Sequence, residues 1–216
     1  MELTPEQLLR AYAMGVFPMA ASRDDARVRW IDPARRTIFP MADFHVSRSL
    51  ARHIGRAPPQ ISFDRAFAKV VIACADRAET WINPAIFAAY EALHLQGHAH
   101  SVEVWDGDKL IGGVYGVALG GAFFGESMFS RATDGSKIAL TWLIHHLRAR
   151  GFALFDVQFM TDHLASLGAS EIPRAEYQRR LHRAISLPAR FSPAYPPDPS
   201  EVLASFGRSQ VRTQTS

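Results

Sequence analysis

The stretch from Lys109 to Ser127, KLIGGVYGVALGGAFFGES, constrains the fold more than any other part of the chain. It is almost wholly apolar. Asp106-Gly107 marks a turn in front of it, and HSVEVW before that turn alternates apolar and polar residues, so a meander of three antiparallel strands is expected. Glycines at 112, 113, 116, 120, 121 and 125 weaken the strands they occupy unless something must come close to the backbone. Two readings satisfy that condition, a bulged and tightly packed hairpin or a ligand laid against the sheet, and six glycines in fourteen residues favour the ligand. The run ends in GESMFSR, which places a carboxylate, two hydroxyls, a methionine and a guanidinium directly behind an apolar strand.

A chain of 216 residues can bury one substantial core, with room for a small appended unit. Hydrophobic residues make up 48% and charged residues 21%, a balance that excludes the disordered class. The longest weakly polar run, Val114 to Gly125, is too short and too glycine-rich to cross a bilayer, and the N-terminus lacks a basic-then-apolar signal pattern. No membrane association and a cytoplasmic location are therefore expected. The single cysteine, Cys74, lies at helical spacing inside AKVVIACADR and reads as a packed core residue, unable by itself to form a disulfide or a zinc cluster. Net charge is only +3, yet residues 23 to 56 carry eight arginines against four aspartates. That cluster fits either a solvated face or a phosphate-contacting surface.

Along the chain, Thr4, Pro5, Gln7 and Gly15 bracket a short helix over about 5 to 14, with Thr4 and Gln7 forming a capping box. The following VFPMAASRDDARVRWIDPARRTIFPM is broken by prolines and reads as loops with short extended pieces. HVSRSLARHIGR offers Ser47 as a helix cap and Leu50 and Ile54 as an apolar stripe. Residues 1–58 are accordingly expected to form a small N-terminal domain, joined through APPQ to a larger domain over 59–190. Within the latter a strand precedes a helix carrying Phe67, Val70, Val71 and Cys74, and Asn83-Pro84 starts another. After the meander, Ser136 is expected to cap the helix KIALTWLIHHLRAR, FALFDVQFM is a buried strand, and a last helix begins at Pro173. Residues 191–216 form a tail whose final ten or so residues are expected to be disordered. The order of elements gives an α+β fold around a mixed sheet. Neither a GxGxxG opening a helix nor a GxxxxGK[ST] occurs.

Asp156 and Gln158 in FDVQF project to one side of an otherwise apolar strand. A buried carboxylate costs several kcal/mol unless it is partnered, so Asp156 either caps a neighbouring loop or orients a substrate amine with Gln158. Glu126 meets the same test. His94, His98 and His100 straddle the helix-stopping Gly97 with no cysteine or carboxylate to complete a good set, so no metal site is expected.

With these stretches in view the sequence closely resembles the bacterial leucyl/phenylalanyl-tRNA-protein transferases. The resemblance runs through LLRAYAMGVFPM, FHVSRSLARH, TWINPAIFAAYEALHLQGHAHSVEVW, GGVYGVALGGAFFGESMFSR, GSKIAL and FDVQFMTDHLASLGASEIPR, covering about residues 4 to 180. It implies a C-terminal domain similar to the GCN5-related acetyltransferase fold. The implied activity moves leucine or phenylalanine, and in some cases methionine, from aminoacyl-tRNA to the N-terminal α-amine of proteins beginning with arginine or lysine, without a cofactor. By resemblance Asp156 and Gln158 hold the acceptor amine and help its proton leave, and Glu126 lines the same centre. Val114, Phe123, Met128, Leu140, Leu143 and Phe155 match the pocket for the transferred side chain. Tyr12 and Trp81 match positions that stack the terminal adenosine, although Met19 stands where many members have tryptophan after FP. Phosphate contacts along the acceptor stem would fall to Arg48, Arg52, Arg131 and Lys137, and binding would weaken with salt. Nothing in the sequence demands more than a monomer.

Overall fold

The computed structural model describes residues 3–192 and 195–207. Helix α1 (Pro5–Ala13) opens on the expected capping box: the Gln7 amide donates to the Thr4 hydroxyl at 3.3 Å, and the Thr4 amide donates to the Gln7 side chain at 3.1 Å. Its buried residues, Leu8, Ala11 and Tyr12, share one face at helical spacing. Strands β1 (Phe17–Ala20) and β2 (Val28–Ile31) pair antiparallel as a separate two-stranded sheet. Next come β3 (Arg35–Phe39), helix α2 (Arg48–Arg56) with Ser47 as its cap, and β4 (Gln60–Phe63). Helices α3 (Phe67–Ala75) and α4 (Pro84–Leu95) follow, the latter capped by the Asn83 side chain, which accepts the Ile86 amide at 2.8 Å.

The expected meander is β5 (Ala99–Asp106), β6 (Lys109–Leu119) and β7 (Ala122–Ser130). Helix α5 (Gly135–Ala149) then crosses over to β8 (Leu154–Gln158), and the chain continues through α6 (Asp162–Ser166), β9 (Ser170–Pro173), α7 (Arg174–Ile185) and α8 (Pro199–Gly207). Ser136 does not cap α5. Asp134 occupies that position in the left-handed region, and the Ser136 amide instead donates to the Ser130 hydroxyl, tying the helix start to the end of β7.

Seven strands form the main sheet in the order β4-β5-β6-β7-β8-β3-β9. Every pairing in it is antiparallel except β7 with β8, which the crossover helix α5 makes parallel. Both faces are covered. Tyr115, Val117, Phe124 and Leu154 point into a core shared with α1, α3, α4 and α7, which includes Tyr12, Cys74, Tyr90 and Tyr177. Val114, Ala118, Phe123 and Phe155 point the other way, into a core built with α2, α5 and α8.

Two expectations about organisation need correction. β3 comes from the stretch assigned to the small N-terminal domain, yet it lies inside the main sheet between β8 and β9, where Arg36 to Phe39 are all buried, Ile38 in one core and Phe39 in the other. A division at residue 58 therefore cuts through the sheet. The tail expected from 191 onward includes α8, which docks through Val202 and Phe206 against α2 and α5. Residues 208–216, where disorder was expected, lie outside the described residues.

Two glycines of the meander follow the packed-hairpin reading rather than the favoured ligand one. A Cβ on Gly112 would stand 2.5 Å from the carbonyl carbon of Gly135, and one on Gly116 would stand 2.2 Å from the carbonyl oxygen of Phe124. The first lets the start of α5 rest on β6. The second accompanies a bulge between Tyr115 and Gly116. Close approach of the protein to itself, not of a ligand, fills these spaces.

Candidate active site

β7 and β8 pair from Ala122–Leu154 to Phe124–Asp156 and then part, although β7 runs on to Ser130 and β8 to Gln158. The strands thus open as a fork whose edges carry the residues after Phe124 and Asp156. Side chains alternate along β8, so Phe155 and Val157 face the α5 side while Asp156 and Gln158 face α1, α4 and α7. The fork joins an apolar chamber on one face to a polar cluster on the other.

The apolar chamber is a cavity of about 80 Å³ lined by Phe39, Val114, Gly125, Ser127, Met128, Leu140, Phe155, Val157 and Leu164. Four of the expected pocket residues, Val114, Met128, Leu140 and Phe155, are among them. Phe123 and Leu143 are not. Phe123 packs against Phe152, Phe155 and Phe191, and Leu143 is buried in the same core without lining the cavity. Phe39, Val157 and Leu164 come from three separate elements, and no local pattern announced them. A wall of this composition presents almost no polar group to an occupant and so accepts an aliphatic or aromatic side chain.

On the opposite face Asp156 is completely buried and fully bonded. Arg36 Nε donates to Oδ1 at 2.9 Å and to Oδ2 at 3.0 Å, and Nη2 donates to Oδ2 at 2.8 Å. The Tyr177 hydroxyl donates to Oδ2 at 2.7 Å and the Gln158 amide to Oδ1 at 2.9 Å. Arg36, itself 1% exposed, spans the rest of the site. Its Nη1 donates to the Gly15 carbonyl at 2.9 Å, and its guanidinium lies 4.5 Å from the centre of the Phe17 ring and 4.6 Å from that of Tyr177. Nothing is left of Asp156 to touch a substrate. The expectation that it holds an amine directly is not met by this arrangement, since desolvating a carboxylate this deeply requires every oxygen to be bonded.

Asp156 is tied in turn to the backbone of Gln158. The φ of Gln158 is +60°, and the Phe159 amide donates to the Val157 carbonyl at 2.8 Å across it, the pattern of a classic γ-turn, which is rare and strained for a residue with a side chain. The bond from its amide to Asp156 holds the turn. Gln158 Nε2 is thereby directed at Glu126, donating to Oε1 at 3.3 Å.

Glu126 is half-buried at the edge of the fork. The Tyr12 hydroxyl donates to its Oε1 at 2.7 Å and the Tyr90 hydroxyl to its Oε2 at 2.8 Å, while the two hydroxyl oxygens stand 2.6 Å apart. Burial pushes the carboxyl up to about 7, against the hydrogen bonds from Tyr12 and Tyr90, which favour the anion. Both phenols are raised well above their ordinary value, first by burial and then by the Glu126 charge.

Tyr12 is fully buried with its ring 4.6 Å from that of Phe124, so it cannot serve as the expected stacking surface for an adenosine. The inward face of α1 carries it under the sheet. Trp81 is half-buried, edge-on to Tyr90 at 6.4 Å, and Met19 borders the same core. Arg48 and Arg52 are exposed on α2. Lys137 is paired with Asp134 at 3.0 Å, which His53 of α2 also contacts at 3.0 Å, and Arg131 lies 3.6 Å from Asp76. Arg36, Tyr90 and Tyr177 escaped the sequence reading. Arg36 sat in a segment read as loops with short extended pieces, and the two tyrosines lay in expected helices without an assigned role.

A pocket for an apolar side chain joined through a split sheet to a carboxylate and an amide defines a site able to bring an acyl group and a polar nucleophile together. Comparison with known proteins sharpens that class. Residues 38–182 match the family model of the leucyl/phenylalanyl-tRNA protein transferase, and residues 1–34 match that of its N-terminal domain. The leucyl/phenylalanyl-tRNA–protein transferase of Cereibacter sphaeroides is 62% identical over 202 residues, covering 93% of this chain and 94% of the relative. That of Ruegeria pomeroyi is 60% identical over the full length of both chains. The chain belongs to the leucyl/phenylalanyl-tRNA–protein transferase family. Among solved structures, the C-terminal domain of a putative lysylphosphatidylglycerol synthetase from Agrobacterium fabrum matches 97% of this chain and 71% of its own at 13% identity and a TM-score of 0.39, a likeness too low to bear on the fold. No helix among the described residues is long and apolar enough to cross a membrane.

Proposed function

We propose that this protein transfers leucine or phenylalanine, with methionine as a third donor, from aminoacyl-tRNA to the N-terminal α-amine of proteins that begin with arginine or lysine. The added residue marks the recipient for degradation. Near-complete coverage by relatives of that name, together with the apolar cavity opening at the fork, carries this reading. The one parallel pair in the sheet, opening beyond Asp156, also supports assigning the main domain to the GCN5-related acetyltransferase-like folds.

In this reading the donor side chain fills the cavity between Val114, Met128, Leu140 and Phe155, and its ester carbonyl lies in the fork. Trp81 supports the terminal adenosine, and Arg48 and Arg52 contact backbone phosphates. The chemistry asks little. The ester is already activated, and an α-amine with an ordinary pKa of about 7.7–8.0 is partly neutral near pH 7. Orientation and proton transfer then supply most of the acceleration. Incubation with labelled leucyl-tRNA and a peptide beginning with arginine should move the label to the peptide, whereas the same peptide with a blocked α-amine should stay unlabelled. Absence of transfer to the free amine refutes the assignment, and acetyl transfer from acetyl-coenzyme A would redirect it to an ordinary N-acyltransferase.

A further inference from the structure

Two carboxylates stand at the mouth of the fork, and their hydrogen bonds assign them opposite tasks. Asp156 accepts from Arg36, Gln158 and Tyr177 and is sealed from solvent, so no further donor can reach it. Glu126 is only half-buried as a residue, where Asp156 is buried completely. Its contacts with Tyr12 and Tyr90 close a triangle: 2.7 Å to Tyr12, 2.8 Å to Tyr90, and 2.6 Å between the phenols. Three such contacts need three protons, and two phenols bring two. With Glu126 ionised, both phenols donate to it, and their own close contact holds no proton. When the carboxyl takes up a proton, it can donate to Tyr90, Tyr90 to Tyr12, and Tyr12 back to Glu126, so that every edge is a hydrogen bond.

From this geometry we infer that Glu126 is the proton carrier of the transfer reaction, while Asp156, Arg36 and Tyr177 form a positioning unit for Gln158. The inference rests on the activity proposed above. The acceptor nitrogen attacks the ester carbonyl carbon, the carbon–nitrogen bond forms, and the bond from that carbon to the ribose oxygen breaks. The amine proton passes to Glu126, which returns it to the departing ribose oxygen, so the carboxylate ends as it began. Gln158 Nε2, which donates to Glu126 Oε1 in the free site, holds that oxygen toward the fork.

Several charged or titratable groups surround Glu126: Tyr12 from α1, Tyr90 from α4, Tyr115 from β6, Arg36 from β3 and Asp156 from β8. Cys74 and Arg77, at the end of α3, lie behind Tyr115. Asp156 raises the Glu126 pKa, whereas Arg36 and the two hydrogen-bonding phenols lower it. Activity should therefore rise as pH passes about 7.

The test is a pH profile of single-turnover transfer from leucyl-tRNA to an arginine-initiated peptide, for wild type, Glu126→Gln and Tyr12→Phe, with each fold checked by thermal melting. A limb due to the peptide amine survives in every variant, so differences between profiles isolate Glu126. Glu126→Gln should lose the carboxylate limb and fall by about 100-fold or more. Tyr12→Phe removes the charge-assisted bond that lowers the Glu126 pKa, which outweighs the neutral phenol–phenol bond lost from the protonated triangle, and should move the limb to higher pH, by about one unit. If Glu126→Gln does not fold, Tyr12→Phe and Tyr90→Phe carry the test. Rates for Glu126→Gln within about tenfold of wild type on an unchanged limb, or a limb unmoved by the tyrosine substitutions, overturn the inference. A wild-type chain that transfers nothing instead overturns the activity beneath it.

Discussion

The buried guanidinium of Arg36 is the least replaceable group in the cluster. It bonds Asp156 through two nitrogens and Gly15 through a third, so its loss would strand a carboxylate with no access to water. Breaking one side of such a pair costs about 3–5 kcal/mol. Arg36→Met should lower the unfolding free energy in urea by that order, and adding Asp156→Leu should recover much of it, because the isolated charge is the penalty. Recovery of stability without recovery of transfer would separate folding from function at this position. The sequence made Asp156, Gln158 and Glu126 visible because each interrupts an apolar strand. Their partners were not visible. Arg36 lies 120 residues from Asp156 along the chain, and its neighbour Arg35 is an exposed surface arginine, so nothing local distinguishes them. Tyr12 illustrates the opposite failure: its position matched a ligand-stacking residue, yet the turn of α1 points it inward.

Among elements, the contact of α5 with β6 depends on two glycines meeting backbone to backbone. A methyl group on Gly112 would meet the Gly135 carbonyl carbon at 2.5 Å, and neither backbone can rotate aside as a side chain could. Gly112→Ala should therefore destabilise by about 1–3 kcal/mol, and it should weaken transfer as well, because α5 carries Leu140 into the cavity. A melting temperature equal to that of wild type would show that α5 adjusts freely. Caps and turns were the most readable part of the chain: Thr4, Ser47 and Asn83 each begin a helix as their side-chain chemistry requires. Helix α8 was missed. Its Val202 and Phe206 lie one helical turn apart, but the prolines leading up to it masked the signal, and only docking against α2 and α5 makes that short segment worth ordering.

Across the whole molecule, the order of the strands determines what meets at the fork. β3 and β9 extend the sheet beyond β8, so the N-terminal stretch supplies Arg36 on one face and Phe39 on the other, and residues distant in sequence converge at one opening. This convergence was beyond the reach of the sequence, which shows periodicity within an element but not the order in which strands pair. The separation of the two chambers has a stereochemical consequence. When the donor's side chain is held on one face of the sheet and its carbonyl in the opening, two of the four substituents on its α-carbon are fixed in space. Its amino group and hydrogen can then occupy the remaining directions in one sense only, and the mirror-image amino acid would exchange them. The polar cluster of Glu126 and Gln158 beside the opening would supply the third contact that tells the amino group from the hydrogen, so the split sheet should read handedness as well as hydrophobicity: D-leucyl-tRNA should be a markedly poorer donor than L-leucyl-tRNA at equal concentration, and equal rates for the two would mean that no such third contact is made.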